Sequence, residues 1–141
     1  MLDALRMSVS FQSLFSFLIY IVVAGGLFGL FQMVYTRMTP HKEFVLIREG
    51  NVAAAIALGG ALIGFALPAS NVITYSISVL DVVIWAVIAA VVQLLAFTVT
   101  SIVLKDLPAR ISRGELAAAI YAASVSISVG FLNSACMTPS T

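Results

Sequence analysis

Charged residues are scarce in this sequence, and their scarcity excludes the soluble globular class. Only 9% of the 141 residues are Asp, Glu, Lys or Arg, whereas about a quarter of the residues are charged in a typical soluble domain. Hydrophobic residues make up 62% of the chain. This composition indicates an integral membrane protein.

Other scarce residues exclude further classes. The long apolar runs have no ionisable side chain in the middle. A proton relay or a voltage sensor would require such side chains, so neither function is expected. Cys136 is the single cysteine, so it forms no internal disulfide and is read as a small apolar filler. His41 is the single histidine and has no second ligand nearby, which indicates an ordinary loop residue. No nucleophile with its base, phosphate-binding loop or nucleic-acid surface is recognisable, so we expect no enzyme, no cofactor and no nucleic-acid partner.

What remains is four uncharged windows, each long enough to cross a bilayer as a helix of about 20 residues. The predicted spans are residues 13–35, 51–72, 82–104 and 116–137. The expected fold is an all-α membrane protein with four transmembrane helices in a single domain, residues 1–141. A cleaved signal peptide is the alternative for the first span, although the apolar run continues to Tyr35, beyond the roughly 15 residues of a signal segment.

The basic residues mark one side of the membrane. Six of the seven Lys and Arg residues lie in the loops after the first and third spans, and only Arg6 lies on the other side. The positive-inside rule then places both loops in the cytoplasm and both termini outside.

Local signals predict where helices begin and end. Asn51 should cap the second span, Ser78 with Asp81 the third, and Ser112 with Glu115 should form a capping box before the fourth. The first loop, "TPHKEFVLIREG", predicts a short interfacial helix that is capped by Thr39, stops at Gly50 and turns Phe44, Leu46 and Ile47 towards lipid. Pro68 should end or kink the second span.

Two segments of the chain are similar to each other in sequence. The segment "IREGNVAAAI", which begins at Ile47, matches "ISRGELAAAI", which begins at Ile111, at six of ten positions and an offset of 64. The pair Gly64 and Phe65 recurs at Gly130 and Phe131 with an offset of 66, so both registers cannot hold along one helix. We interpret the chain as two parallel copies of a helical hairpin, residues 13–72 and 78–137. Parallel copies do not offer the site between inverted halves that many transporters use.

Small residues form stripes along the predicted spans. In lipid, helices associate where small residues let backbones approach closely and where side chains bond between helices. The predicted packing residues are Gly25, Gly29, Ala53, Ala57, Gly60, Gly64, Ala119, Ala123, Ser126 and Gly130. These faces could serve the monomer alone or also a second subunit. Further small residues lie off the two main stripes, which favours a homo-oligomer: Ala54, Gly59, Ala61, Ala118, Ala122 and Ser128.

Gln93 and Asn133 are predicted polar groups inside the membrane. A side-chain amide in hydrocarbon needs a hydrogen-bond partner. Two interpretations remain open: bonds between neighbouring helices, or a polar line along a pore or a substrate path.

Three segments, "EGNVAAAIALGGALIGFALP", "WAVIAAVVQLLAF" and "GFLNSACMTP", resemble the YjfL-like family of bacterial inner-membrane proteins, which contain two copies of domain of unknown function 350. The resemblance covers nearly the whole chain and implies a multi-pass protein of the inner (plasma) membrane. Such proteins are often encoded beside envelope-stress proteins of the phage-shock type and ATP-grasp ligases, which implies a cytoplasmic envelope-stress partner. No catalytic residues are assigned in the family, so none is carried over.

Two functions fit these observations. The first is a non-enzymatic inner-membrane scaffold or small oligomeric channel component that serves envelope-stress homeostasis, with the lipid bilayer as its surroundings. The alternative is a transporter or permease subunit that moves a small solute or ion along the polar line.

Overall fold

The computed structural model describes residues 1–8 and 10–137, and all regular secondary structure in that part of the chain is helical. The helices are α1 (Leu2–Ser8), α2 (Phe11–Met38), α3 (Glu43–Arg48), α4 (Val52–Tyr75), α5 (Val79–Val103), α6 (Leu107–Ser112) and α7 (Leu116–Cys136). Among the described residues, four helices are long and apolar enough to cross a membrane, and they are α2, α4, α5 and α7. The prediction of an all-α protein with four membrane-spanning helices is therefore confirmed.

Side chains cap two of the long helices as predicted. The Asn51 side-chain oxygen accepts a hydrogen bond from the backbone N–H of Ala54 at 3.0 Å, and the Ser78 hydroxyl oxygen accepts one from the N–H of Asp81 at 3.2 Å. The capping box predicted before α7 is wrong. Ser112 belongs to α6 and donates its hydroxyl to the Pro108 carbonyl oxygen, while Glu115 pairs with Arg110.

The short helix predicted in the first loop exists as α3, but two details of the prediction are wrong. Thr39 ends α2, where its backbone N–H donates to the Tyr35 carbonyl oxygen at 3.1 Å, and the short helix begins only at Glu43. Leu46 and Ile47 pack against the protein core, and only Phe44 of the three apolar residues is well exposed. The helix therefore lies with one side on the bundle.

Each short helix on this side of the bundle joins a long helix through a glycine. Gly50 and Gly114 have φ angles of +85° and +79°, a left-handed conformation that glycine adopts without strain. The N–H of Asn51 then donates to the Leu46 carbonyl oxygen at 2.9 Å. Glu115 donates in the same way to Arg110 at 3.0 Å, again at an offset of 64. The duplication itself, with copies at residues 13–72 and 78–137, stays a prediction.

Helix α4 lies at the centre of the bundle. It packs most extensively against α7, next against α5, and α5 also packs against α7. Contacts between α4 and α7 run in the same direction along both helices, from Asn51 beside Ile111 to Asn71 beside Ser134, so the two helices are parallel. Helix α2 contacts α4 and α5 more sparingly, and most of its residues are exposed. The fold thus consists of a three-helix core and a peripheral fourth span.

Candidate functional site

The predicted glycines of α4 and α7 lie where these helices touch. A methyl group added to Gly60 would overlap Ala123, and one added to Gly64 would overlap the backbone of Ser126. A methyl group on Gly130 would in turn overlap the backbone of Gly64. The two backbones are therefore in direct contact, which is the geometry that small residues permit within a membrane.

Pro68 leaves one carbonyl oxygen of α4 without its helical hydrogen bond at this contact. Proline has no N–H, so the carbonyl oxygen of Gly64, four residues earlier, lacks its usual helical donor. A Cβ on Gly130 would lie against that oxygen. Because glycine has a hydrogen atom there instead, the Cα–H of Gly130 faces the oxygen as a weak donor. Helix α4 continues past Pro68 to Tyr75, so Pro68 does not end the helix, and the alternative, a kink at Pro68, stays a prediction.

Gln93 of α5 completes the contact between α4 and α7. Its side chain is 1% exposed, and its amide nitrogen Nε2 donates to the Ser126 carbonyl oxygen at 2.9 Å. The same nitrogen fills the space that a side chain at Gly64 would need. The amide oxygen of Gln93 is buried and has no donor among the described residues. The polar group at this depth thus lies in a closed junction of three helices, which we call the Gln93 junction: Gln93, Gly60, Gly64, Ala123, Ser126 and Gly130.

The alanines of the predicted stripes are also buried inside the monomer. Ala53, Ala57 and Ala119 belong to the hydrophobic core, and Ala123 is buried beside Gly60. Four of the small residues that lie off the stripes are buried within the monomer as well: Ala54, Ala61, Ala118 and Ala122. These four alanines therefore give no reason to expect a second subunit, and the homo-oligomer stays a prediction without their support.

Gly25 and Gly29 are not brought together with the other packing residues. They lie on an exposed part of α2, and a methyl group added to either would meet no atom within 4 Å. Their spacing is the same as that of Gly60 and Gly64, but the bundle leaves this face of α2 open.

We expected the Asn133 amide to bond a neighbouring helix or to lie on a polar line through the membrane. Its amide nitrogen is buried and has no hydrogen-bond partner among the described residues. The bond between α4 and α7 at this level comes instead from Asn71, whose Nδ2 donates to the Ser134 carbonyl oxygen at 2.5 Å. Asn71 is not among the predicted polar groups inside the membrane, although it is an amide within an otherwise apolar span and meets the criterion that selected Gln93.

Aromatic rings attach α2 to the core. The ring of Phe31 stacks on that of Phe65 with centroids 4.4 Å apart and an interplanar angle of 10°. Tyr35 meets Phe97 of α5 edge to face, with centroids 5.3 Å apart. These rings lie towards the end of α2 that precedes α3, so the helix is held at that end and is more exposed towards its beginning.

A polar cluster that the sequence did not predict lies just beyond these rings. Thr39, His41 and Glu43 are all buried where α2 ends and α3 begins. His41 lies between helices as expected, but it is covered by the protein. The spacing of Glu43 with Leu46 and Ile47, at three and four residues, would have placed this carboxyl on the inward side of α3.

The fold defines a class: a multi-pass α-helical membrane protein. The model of one family, a Domain of Unknown Function (DUF350), matches residues 8–137, and the chain belongs to this family. The chain is 32% identical over 127 residues to the UPF0719 inner membrane protein YjfL of Escherichia coli strain K12, covering 90% of this chain and 96% of the relative. The YjfL protein of Escherichia coli O157:H7 matches to the same extent. No solved structure matches the chain.

Proposed function

We propose that this protein is a non-enzymatic inner-membrane scaffold. The observation that supports this function is the Gln93 junction, in which the polar side chain deepest in the bundle bonds a neighbouring helix. A pore or substrate path through the monomer would need that amide to face open space. Instead it is 1% exposed and is engaged with Ser126.

The outer surface of the bundle also favours a scaffold over a pore. The hydroxyls of Thr98, Ser124 and Ser128 are exposed, yet each donates to a carbonyl oxygen of its own helix at 2.7 to 2.9 Å. Two grooves beside α2, with volumes of about 210 and about 300 Å³, have almost wholly apolar walls. Such surfaces suit contact with acyl chains and with other apolar helices better than a path for a polar solute.

The proposed scaffold has both termini outside and α3 and α6 at the cytoplasmic surface. Exposed basic side chains lie on or beside these two helices, among them Lys42, Arg48 and Arg113. This surface is where a cytoplasmic envelope-stress protein would bind, and its positive charge favours an acidic partner or anionic lipid head groups. Single cysteines test the orientation after Cys136 has been replaced.

We expect cysteines at Lys42 and Arg110 to be shielded from an impermeant thiol reagent in intact cells, and a cysteine at Ser140 to be labelled. Lys42 directly precedes α3 and Arg110 lies within α6, whereas Ser140 lies outside the described residues and follows α7 in the sequence. The reverse labelling pattern would overturn the orientation.

Flux measurements distinguish a scaffold from a channel or transporter. The full chain is reconstituted in liposomes, and the flux of small ions and solutes is compared with that of empty liposomes. A scaffold predicts no added flux from the native protein or from Gln93→Leu. Flux through the native protein that Gln93→Leu abolishes, with the variant still folded, would instead support a pore or a permease subunit.

A further inference from the structure

The cluster of Thr39, His41 and Glu43 has the geometry of a binding site. The Thr39 hydroxyl donates to Oε1 of Glu43 at 2.7 Å, and Nε2 of His41 lies 3.4 Å from the same oxygen. Glu43 is only 2% exposed and His41 only 8%. An acid and an imidazole are thus enclosed together at the point where α3 is attached to α2.

Two atoms of this cluster have no partner. Oε2 of Glu43 and Nδ1 of His41 are both buried without a hydrogen bond among the described residues. No Lys or Arg of the described chain lies within ion-pairing distance of Glu43. A buried carboxylate without a cation is costly, because desolvation penalises its charged form more than the hydrogen bonds from the Thr39 hydroxyl and the Glu43 backbone N–H favour it. The surroundings therefore favour the neutral acid.

The elements around Glu43 add little charge to the site. Tyr35 of α2 is the titratable group that faces it, and it is neutral at ordinary pH. Helix α3 packs against α4, which has no acidic, basic or histidine residue. In α5 the only such residue is Asp81, in its first turn, at the opposite end from Phe97. Lys42 beside Glu43 is exposed.

The site can hold a proton without losing its hydrogen bond. The Thr39 hydroxyl oxygen also lies 3.3 Å from the carbonyl oxygens of Tyr35 and Thr36. When Oε1 of Glu43 is protonated, the Thr39 hydroxyl can turn to either carbonyl and accept the bond from the acid. When Glu43 is ionised, the Thr39 hydroxyl donates to it. The short contact between the two oxygens thus serves both protonation states.

We propose that Thr39, His41 and Glu43 form a proton-binding site at the end of α2, and that its occupancy controls how firmly α3 is attached to the bundle. On release, the O–H bond of the Glu43 carboxyl breaks and the proton passes to water, which leaves a buried carboxylate. That charge is relieved when α3 moves away and water reaches the site.

The direction of the pH effect follows from burial. Desolvation raises the pKa of Glu43 from 4.5 to about 7, and desolvation lowers the pKa of His41 below its ordinary value. The folded protein therefore binds the Glu43 proton more tightly than the unfolded chain does. This stabilisation is complete below pH 4.5 and is lost as the pH rises through about 7. His41 acts in the opposite sense, since its protonation at low pH would place a charge in the site.

Hydrogen exchange of the full chain in lipid nanodiscs tests the attachment of α3. We expect the protection of α3, expressed relative to α6 in the same sample, to fall as the pH rises through about 7. Helix α6 is the matched reference because it precedes α7 as α3 precedes α4. Glu43→Gln should remove the pH dependence, whereas Glu49→Gln, at an exposed loop position, should retain it. A constant ratio of α3 to α6 protection in the native protein would overturn the proposal.

Infrared spectroscopy tests the proton itself and does not depend on a variant that folds. With isotopically labelled glutamate, the carbonyl stretch of a protonated carboxylic acid should be present at mildly acidic pH and disappear above about pH 7. Glu43, Glu49 and Glu115 are the only glutamates in the chain. Glu49 is exposed, and the hydrogen bonds from Arg110 lower the pKa of Glu115. Absence of the band throughout this range would contradict the proton-binding site.

Discussion

Two pairs of glycines with the same spacing have different environments in this protein. Gly60 and Gly64 of α4 lie against the backbone of α7, where even one added methyl group would overlap another residue. Gly25 and Gly29 of α2 have no atom within 4 Å of the position that a Cβ would take. The spacing of four residues is therefore compatible with both a closed contact and an open face.

The residues around each pair account for the difference. Ala53 and Ala57 continue the small surface of α4 before its glycines, and Ala61 lies between them. Gln93 supplies a hydrogen bond to Ser126 at the same level. Around Gly25 and Gly29 the helix carries large apolar side chains such as Ile21, Val22 and Leu30, which are exposed. Helices can approach along α4 over several turns, whereas on α2 the small surface is interrupted.

The largest expected effect is that of a side chain at Gly64. Gly64→Leu and Gly60→Leu should each destabilise the folded protein more than Leu62→Ala, because leucine would push α4 and α7 apart. Overpacking of a core typically costs about 1–3 kcal/mol, and backbone contact at these positions puts the expected loss at or above that range. Thermal unfolding in a mild detergent measures it.

Gly59→Leu is the matched control for these variants, because Gly59 lies in the same helix and a Cβ there would meet nothing within 4 Å. It should leave the melting temperature nearly unchanged. Similar melting of Gly60→Leu, Gly64→Leu and Leu62→Ala would argue against the contact between α4 and α7.

A smaller effect is expected from Gln93→Leu. The substitution removes the bond to Ser126, and a hydrogen bond between membrane helices is worth about 1 kcal/mol. Removing the unpartnered amide oxygen offsets part of that loss. The free energy of unfolding should therefore fall by roughly 1 kcal/mol or less. Thr98→Val on the same helix removes only an exposed hydroxyl bonded within α5 and should have no measurable effect. If Thr98→Val lowered the free energy of unfolding as much as Gln93→Leu, the proposed contribution of the Gln93 junction to stability would be contradicted.

The smallest effect on folding is expected from Gly25→Leu and Gly29→Leu, since both side chains would enter open space. Their use lies in testing association between subunits. If the proposed homo-oligomer uses this face of α2, mass measurement in a lipid-like environment should show smaller assemblies for these variants, with unchanged melting of the monomer fold. A native protein that stays at 14.9 kDa over a range of concentrations would mean that no such assembly forms.

The sequence predicted the parts of the structure that depend on hydropathy and spacing. Each predicted span agrees with a helix to within three residues at both ends, because apolar length determines where a chain can cross a bilayer. The stripe that contains Gly60 and Gly64 could be read from the period of the helix. Which glycines meet a partner could not, since contacts between helices depend on tertiary packing.

The cluster of Thr39, His41 and Glu43 could not be predicted either, because it also depends on tertiary packing. His41 and Glu43 look like ordinary residues of a charged loop, and only the position of α3 against the bundle encloses them. Asn51 was readable as a helix cap because capping is local. Its second role, donation from Nδ2 to the carbonyl oxygens of Ile111 and Ser112 at 3.1 Å, joins segments about 60 residues apart and has no local signal.

The contact between α4 and α7 is tested most directly by a double-mutant cycle on Gly64→Ala and Gly130→Ala. In direct contact, either alanine alone forces the helices apart, so the second should cost clearly less once the first is present. A coupling of at least about 0.5 kcal/mol is expected, whereas Gly25→Ala combined with Gly64→Ala should be additive. Additivity of Gly64→Ala and Gly130→Ala within about 0.3 kcal/mol would show that the two backbones do not meet.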